Sequence, residues 1–437
     1  MSSLRRSDEQ RERSPCLGVR AGDMRVLGGD RRVALDVLMM GWGLGTWLGV
    51  NGVFVQLPLL VQRLPEGWAL PSFMVVCIQL ANVGVLAYAA LRRLFPRAPD
   101  APYVYGMLGV GTAALFLNAF LHERTAWVAG AERSVAFLAV TFFTGLVGCT
   151  SSVLFYPYLR HFRDVYLATY LVGEGLSGLL PGLLSLAQGS GGEPRCVYAP
   201  DNASVTAVPP EPRFDSTVFL AVVGCLSALS LASFALLNSL PTFAAERVRP
   251  ADAAKQDEAT GEPLLRARWV GVMAMMAALN ACMNGLLPSI QSYSCMPYGA
   301  QTYHLAVTLG AMANPLACLA GVWLRPVRGR ALAALLGAAL LPLGYVLATA
   351  LLSPAPPLQH SAGGRALVVL AWVALYAALS YARMWVYGWA RRGGAAGMRV
   401  CGAVNQAGSA LGSLTLFLIV NFTDVFVQAP QCALPPL

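Results

Sequence analysis

The chain has 437 residues, 56% of them hydrophobic and 12% charged, with a formal net charge of +9. A soluble protein of this size would lack the polar surface to cover so large an apolar core, so a soluble globular fold is excluded. The basic excess lies in loops that alternate between apolar segments, which reads as membrane orientation and not as a nucleic-acid partner.

Residues 1–32 form a basic tail that is expected to be disordered and cytoplasmic. Beyond it the apolar residues come in blocks of about twenty, the length that crosses a hydrocarbon core of ~30 Å. Eleven spans are predicted, near 33–56, 72–91, 103–121, 134–158, 165–187, 215–239, 269–289, 300–324, 331–352, 366–389 and 398–420. The fold class is therefore an all-α polytopic membrane protein with eleven transmembrane helices in a 6+5 arrangement. The first span is too long and too internal for a cleaved signal peptide, and no A-x-A-like site follows it.

With the amino terminus in the cytoplasm, only Arg63, Arg124, Arg133, Arg195, Arg213 and Arg365 of the 31 lysines and arginines fall outside, and Arg383 lies within a span. This asymmetry places the amino terminus inside and the carboxyl terminus outside. The sequons at Asn202 and Asn421 both fall on the outer side. Asn202 is the expected glycosylation site, Asn421 lying too close to the bilayer. Of ten cysteines, Cys196, Cys295 and Cys432 fall in or beside outer loops, where one internal bridge is possible and the sequence does not choose the pair.

Residues 241–268 are the one long hydrophilic stretch between spans and have the composition of a flexible cytoplasmic linker. They divide a six-helix half, 33–240, from a five-helix half, 269–420, which is followed by an extracellular tail, 421–437. Two halves joined in this way are the plan of major-facilitator-like transporters, and an internal repeat supports it. The leading span of half one reads Asn51-Gly-Val-Phe-Val-Gln-Leu-Pro58, and that of half two reads Asn280-Ala-Cys-Met-Asn-Gly-Leu-Leu-Pro-Ser-Ile-Gln291. Both carry Asn-Gly, then Pro, with a Gln nearby. Gly and Pro in corresponding spans of two halves point to a transporter site.

The bland reading of these amides is helix–helix glue, with Pro58 ending its span. The functional reading is a central cavity for a polar, uncharged, partly flat solute. Its candidate residues are Trp47, Asn51, Gln56, Thr150 and Glu174 in half one, and Asn280, Asn284, Tyr303, His304, Asn405 and Gln406 in half two. Gly52 and Gly285 are expected to let a flat ring approach the backbone. Glu174 and Arg383, charged within spans, should face the bundle interior or water, as an ion pair, a gate or a ligand contact. Asp36 reads as interfacial. No phosphate-binding loop, zinc-protease motif, CxxC pair or nucleophile elbow occurs, so an enzyme, a metal site and a cofactor are not expected. Gly408 and Gly412 read as close helix packing.

Several strings resemble the vertebrate riboflavin transporters, solute carrier family fifty-two. They are Trp47 through Pro58 with Leu64-Pro-Glu-Gly-Trp68, Ile78-Gln-Leu-Ala-Asn82, Gly173-Glu-Gly-Leu-Ser-Gly-Leu-Leu-Pro181, Asn284-Gly-Leu-Leu-Pro288, Ser292-Tyr-Ser-Cys295, Tyr303-His-Leu-Ala306 and Ala313-Asn-Pro-Leu-Ala317. The likeness runs in order from about residue 35 to about 420, and is greatest to the intestinal-type vertebrate member. It implies facilitative, sodium-independent uptake of riboflavin across the plasma membrane by a monomer in the lipid bilayer, on a fold akin to the equilibrative nucleoside transporters. Amides such as Asn51 would pair with the imide edge of the flavin, and Trp47 or Tyr303 would stack on its ring.

The chain departs from that family at Gln56, where Glu is frequent, at Arg383, where Lys is frequent, at Ala355, where an outer-loop Cys is common, and in its longer amino-terminal tail. The last Cys substitution leaves Cys432 without the partner the resemblance implies. A nucleoside carrier would use a similar cavity. A multi-span receptor is the non-transport alternative, weakened by an outer carboxyl terminus.

Overall fold

The computed structural model describes residues 32–128, 130–159, 161–162, 165–189, 195–198, 205–208, 211–241, 243, 266–323, 329–390 and 394–428. The amino-terminal tail to residue 31, most of the linker, Asn202, Cys432 and the last residues of the chain lie outside them.

The described residues are almost wholly helical. The leading span is not the continuous helix that its apolar run suggests. It breaks into α1 (Val33–Leu44) and α2 (Leu48–Val55), bent by 55°. Glycines set the break. Gly43 packs on the backbone of Tyr170, and Gly45 on the Ser230 hydroxyl, so neither position has room for a side chain. The ladder there tightens to i−3 bonds, Gly45 N to Trp42 O at 3.1 Å and Thr46 N to Gly43 O at 3.2 Å. Pro58 does not end the span: it sits in the first turn of α3 (Leu57–Arg63), where its missing N–H costs nothing.

The second span is α4 (Leu70–Leu80) and α5 (Val83–Leu94), interrupted at Ala81–Asn82. Then follow α6 (Ala101–Leu121), α7 (Val135–Leu159), α8 (Val165–Gln188) and α9 (Ser216–Ser239). Asp215 caps α9 by accepting from Val218 N at 2.9 Å. Buried Glu66 accepts from both the backbone and the hydroxyl of Ser134 at 2.7 Å, just before α7. Two short antiparallel hairpins, Ala126–Val128 with Ala131–Arg133 and Arg195–Tyr198 with Val205–Val208, fill loops at the same end.

The second half begins with α10 (Arg266–Ala281), passes through a π turn at Cys282–Leu286, and resumes as α11 (Leu287–Cys295). It continues through α12 (Ala300–Trp323), α13 (Gly329–Leu351), α14 (Ala362–Ala390) and α15 (Gly394–Phe422). Among the described residues nine helices are long and apolar enough to cross a membrane, and the pair α1–α2 makes a tenth. The expected eleven is not met on that count. The remaining expected span coincides with α12, a 24-residue helix that carries Gln301, Thr302, His304, Thr308 and Asn314.

One apolar cluster lies in half one, and a larger one runs through both halves. In half one, Trp42 is fully buried among Phe155, Tyr158, Tyr170 and Phe234, with ring centroids 5.0–5.7 Å away. In half two, Trp372 donates to Ser294 Oγ at 3.1 Å. The halves meet along two seams: α12 packs on α8, α2 and α3, while α4 packs on α15 and α11. Gly408 and Gly412 do bring α15 onto the backbone of α10, at Ala277 and Ala281.

Candidate functional site

The two helix breaks each carry an asparagine. In half one, Asn51 lies one turn beyond the bend. Its Nδ2 donates to Ser177 Oγ of α8 at 3.3 Å, and that hydroxyl donates to the Glu174 carbonyl oxygen at 2.6 Å. A Cβ at Gly178 would lie 3.5 Å from Asn51 Nδ2 and 3.6 Å from the Ala311 carbonyl oxygen, so the amide sits at the seam with α12. In half two, Asn284 lies inside the π turn, an irregularity common at functional sites. Its Nδ2 donates to Ser409 Oγ at 2.9 Å and to Asn280 Oδ1 at 3.4 Å.

Both asparagines are part-exposed. Other helices pack on both segments. Around α2 stand α7, α8, α9 and α12, and around the π turn stand α10, α11, α15 and α4. Trp47, Glu174, Asn405 and Gln406 are part-exposed as well. The Trp47 indole lies against Gly148 of α7, where a Cβ would come within 2.7 Å of it.

Other candidates are placed differently. Thr150, Asn280 and Tyr303 are fully buried. Asn280 donates to the Met276 carbonyl at 2.8 Å and so holds its own helix. Gln56 is fully buried and donates to Gln188 Oε1 at 2.7 Å, and Gln188 in turn donates to the Phe214 carbonyl. His304, 4% exposed, touches the Ser185 hydroxyl at 3.0 Å. The expected glycine role is corrected: Gly52 faces the Val223 side chain and Gly285 the Gly412–Ser413 backbone, so both serve helix packing. Asp36 is also more than interfacial, being 3% exposed and accepting from Thr169 Oγ1 at 3.0 Å. Arg383 is part-buried on α14. Cys295 is a free, buried thiol.

His304 belongs to a closure between the halves, and Gln56, paired with Gln188 inside half one, lies next to it through the Val55 carbonyl that accepts from Ser185 Oγ. At the end of the bundle that carries the α3–α4 turn, the halves are joined directly. Thr308 and His304 of α12 meet Ser185 of α8. Ser292 Oγ donates to the Trp68 carbonyl at 2.6 Å, and Trp68 packs edge-on against Tyr293 at 5.8 Å. Asn421 donates to Ser72 Oγ at 2.9 Å, beside the Phe73–Phe417 pair at 5.0 Å. These hydrogen bonds between the halves all lie at this end. The sequence reading missed Ser177, Ser185 and Gln188. Their signal was present only as single polar residues in apolar helices, and pairing across more than a hundred residues has no local mark. The Asn421 amide is engaged with Ser72.

A profile described as "Solute carrier family 52, riboflavin transporter" matches residues 31–263 and 245–428. "Riboflavin transporter 2" of Salmo salar is 36% identical over 91% of this chain and 97% of its own length. "Solute carrier family 52, riboflavin transporter, member 3" of Homo sapiens is 36% identical over 92% of this chain and 98% of its own. Member 2 of Homo sapiens is 37% identical over 93% and 98%. Members 2 and 3 are thus equally similar, and the likeness does not single out the intestinal type. Among solved structures, "Crystal structure of nucleoside transporter NupG" is 14% identical, covers 90% of this chain and 91% of its own, and has a TM-score of 0.48.

Proposed function

The chain belongs to solute carrier family 52, the riboflavin transporters, and from that premise we propose that it carries riboflavin across the plasma membrane by facilitative alternating access. The observation that supports this reading most is the pairing of Asn51 and Asn284, part-exposed at matching helix breaks on which other helices pack. An amide at each half suits a neutral, flat solute with an imide edge and a hydroxylated chain. The proposed contacts are Trp47, Asn51 and Glu174 in half one and Asn284, Asn405 and Gln406 in half two. In this reading Trp47 is the aromatic that stacks on the ring.

Ser185 and His304 act in this reading as the gate on one side, with the Gln56–Gln188 pair bracing the half-one side of it. The sealed end carries Arg63, Arg124, Arg133, Arg213 and Arg365, while Arg32, Arg92, Arg93, Arg97, Arg268 and Arg330 lie at the other. The positive-inside rule makes the sealed end extracellular and the amino terminus cytoplasmic. The conformation is then closed to the outside. The eleven-span, 6+5, major-facilitator-like arrangement follows if α12 crosses as the remaining span. Its position between α8 and α14 supports that.

The test is ligand stabilisation of the purified chain. Riboflavin at a hundredfold its dissociation constant should stabilise the fold by about 2.7 kcal/mol, whereas uridine should have no effect. Stabilisation by uridine and not by riboflavin would favour a nucleoside carrier.

A further inference from the structure

The two asparagines are held by an equivalent device in each half, and the hydrogen-bond chain fixes which way each amide points. Ser177 spends its hydrogen on the Glu174 carbonyl at 2.6 Å, so toward Asn51 it can only accept, and Asn51 must face it with Nδ2. Asn280 must turn its own Nδ2 to the Met276 carbonyl, which leaves Asn280 Oδ1 toward Asn284. Asn284 therefore also turns its Nδ2 inward, to Asn280 and Ser409. Such orientation is ordinarily ambiguous between O and N, but here a backbone carbonyl anchors each chain and resolves it.

The partners are equivalent in the chain as well. Asn51 is on the first span of its half and Ser177 on the fifth. Asn284 is on the first span of its half and Ser409 on the fifth. In both halves the first and fifth spans also touch through glycines, Gly43 and Gly173 in one, Gly408 and Gly412 in the other. A helix break beside each asparagine, at residues 45–47 and in the π turn at Cys282–Leu286, completes the likeness.

The geometry points to Ser177 and Ser409 as paired positioning residues that each draw an amide N–H onto a neighbouring helix and so leave Asn51 Oδ1 and Asn284 Oδ1 as two acceptors for the solute. Among the described residues neither oxygen accepts a hydrogen bond. The site would thus select for donors on the ligand: an imide N–H at one acceptor and a hydroxyl at the other. This deepens the riboflavin reading and rests on it.

The experiment is equilibrium binding to the purified full-length chain, read by quenching of flavin fluorescence. The probes are riboflavin, 3-methylriboflavin, which lacks the imide N–H, and lumiflavin, which lacks the hydroxylated chain. The parent should bind each analogue about tenfold or more weakly than riboflavin, since a site built around one hydrogen bond rejects a ligand lacking it. In Ser177→Ala the freed Asn51 amide can rotate and offer a donor, and in Ser409→Ala the Asn284 amide keeps only its 3.4 Å bond to Asn280 Oδ1 and can do so more readily. Each variant should then lose discrimination against one analogue, to within about threefold, while Ser177→Thr and Ser409→Thr retain it. A purely structural serine would change stability and leave these ratios alone. Parent protein that binds all the flavins alike would overturn the proposal without any variant, as would folded alanine variants with unchanged ratios. Parent protein that binds no riboflavin would instead overturn the function on which the proposal rests.

Discussion

Asn51 and Asn284 combine two roles that usually exclude each other, since each braces one helix against another while staying part-exposed. Replacing either by Ala removes a hydrogen-bonding group from the bound solute, a loss of ~1–3 kcal/mol, or roughly ten- to hundredfold in affinity. Binding of riboflavin to monodisperse Asn51→Ala and Asn284→Ala protein checks this, and parental affinity in both would contradict it. Gln56 is the other informative residue. Its Nε2 must donate, because Gln188 is already turned by its bond to the Phe214 carbonyl. In Gln56→Glu only the protonated carboxyl donates to Gln188 Oε1, and the ionised form leaves a buried charge beside an acceptor. The Gln56–Gln188 brace within half one, which supports the Ser185–His304 contact, should be kept in that variant as pH falls and lost as pH rises. Transport by Gln56→Glu should therefore depend more steeply on pH than transport by the parent, measured as initial uptake from pH 5 to 8.

The helices were legible from apolar run length, and so were the Asn-Gly repeat and the close packing of Gly408 and Gly412. The breaks were not. A bend at residues 45–47 and a π turn at Cys282–Leu286 arise from what the backbone packs on, such as Tyr170 and Gly412, and those neighbours are distant in sequence. The same reason hid the role of Gln56: its polarity was visible, its partner Gln188 was not. Packing at this scale makes a contrast testable. A Cβ at Gly412 would lie 2.5 Å from the Ala281 carbonyl oxygen, whereas one at Gly337 meets nothing within 4 Å. Gly412→Ala should lower thermal stability by about 1–3 kcal/mol through overpacking, and Gly337→Ala should be neutral. The segment after α15 also acts as an element. It crosses the sealed end, with Gln428 Oε1 accepting from Trp68 N at 3.2 Å, Ser353 Oγ donating to the Val427 carbonyl at 2.6 Å, and Phe426 packed on Tyr293 at 5.5 Å. Gly67, at φ +54°, gives Gln428 its approach, since a Cβ there would come within 2.8 Å of Gln428 Oε1. Gln428→Ala removes one such bond, worth about 0.5–1.5 kcal/mol. Labelling of a cysteine placed at Ser72 by an impermeant thiol reagent should then rise several-fold, and an unchanged rate would free the strap of any gating role.

For the whole molecule, two bundles joined by hydrogen bonds at one end and carrying a matched amide in each half form a carrier caught in one of its two states. Alternating access requires the sealed contacts, His304 to Ser185 and Asn421 to Ser72 among them, to break together while new contacts form at the other end. Neutral, part-exposed amides call for no ion partner, so the solute should equilibrate down its own gradient. Uptake of labelled riboflavin into proteoliposomes holding only the purified chain tests this most directly. The account predicts saturable entry without a sodium gradient, competed by lumiflavin and not by uridine. Entry no faster than into protein-free liposomes, or entry blocked equally by uridine, would contradict it.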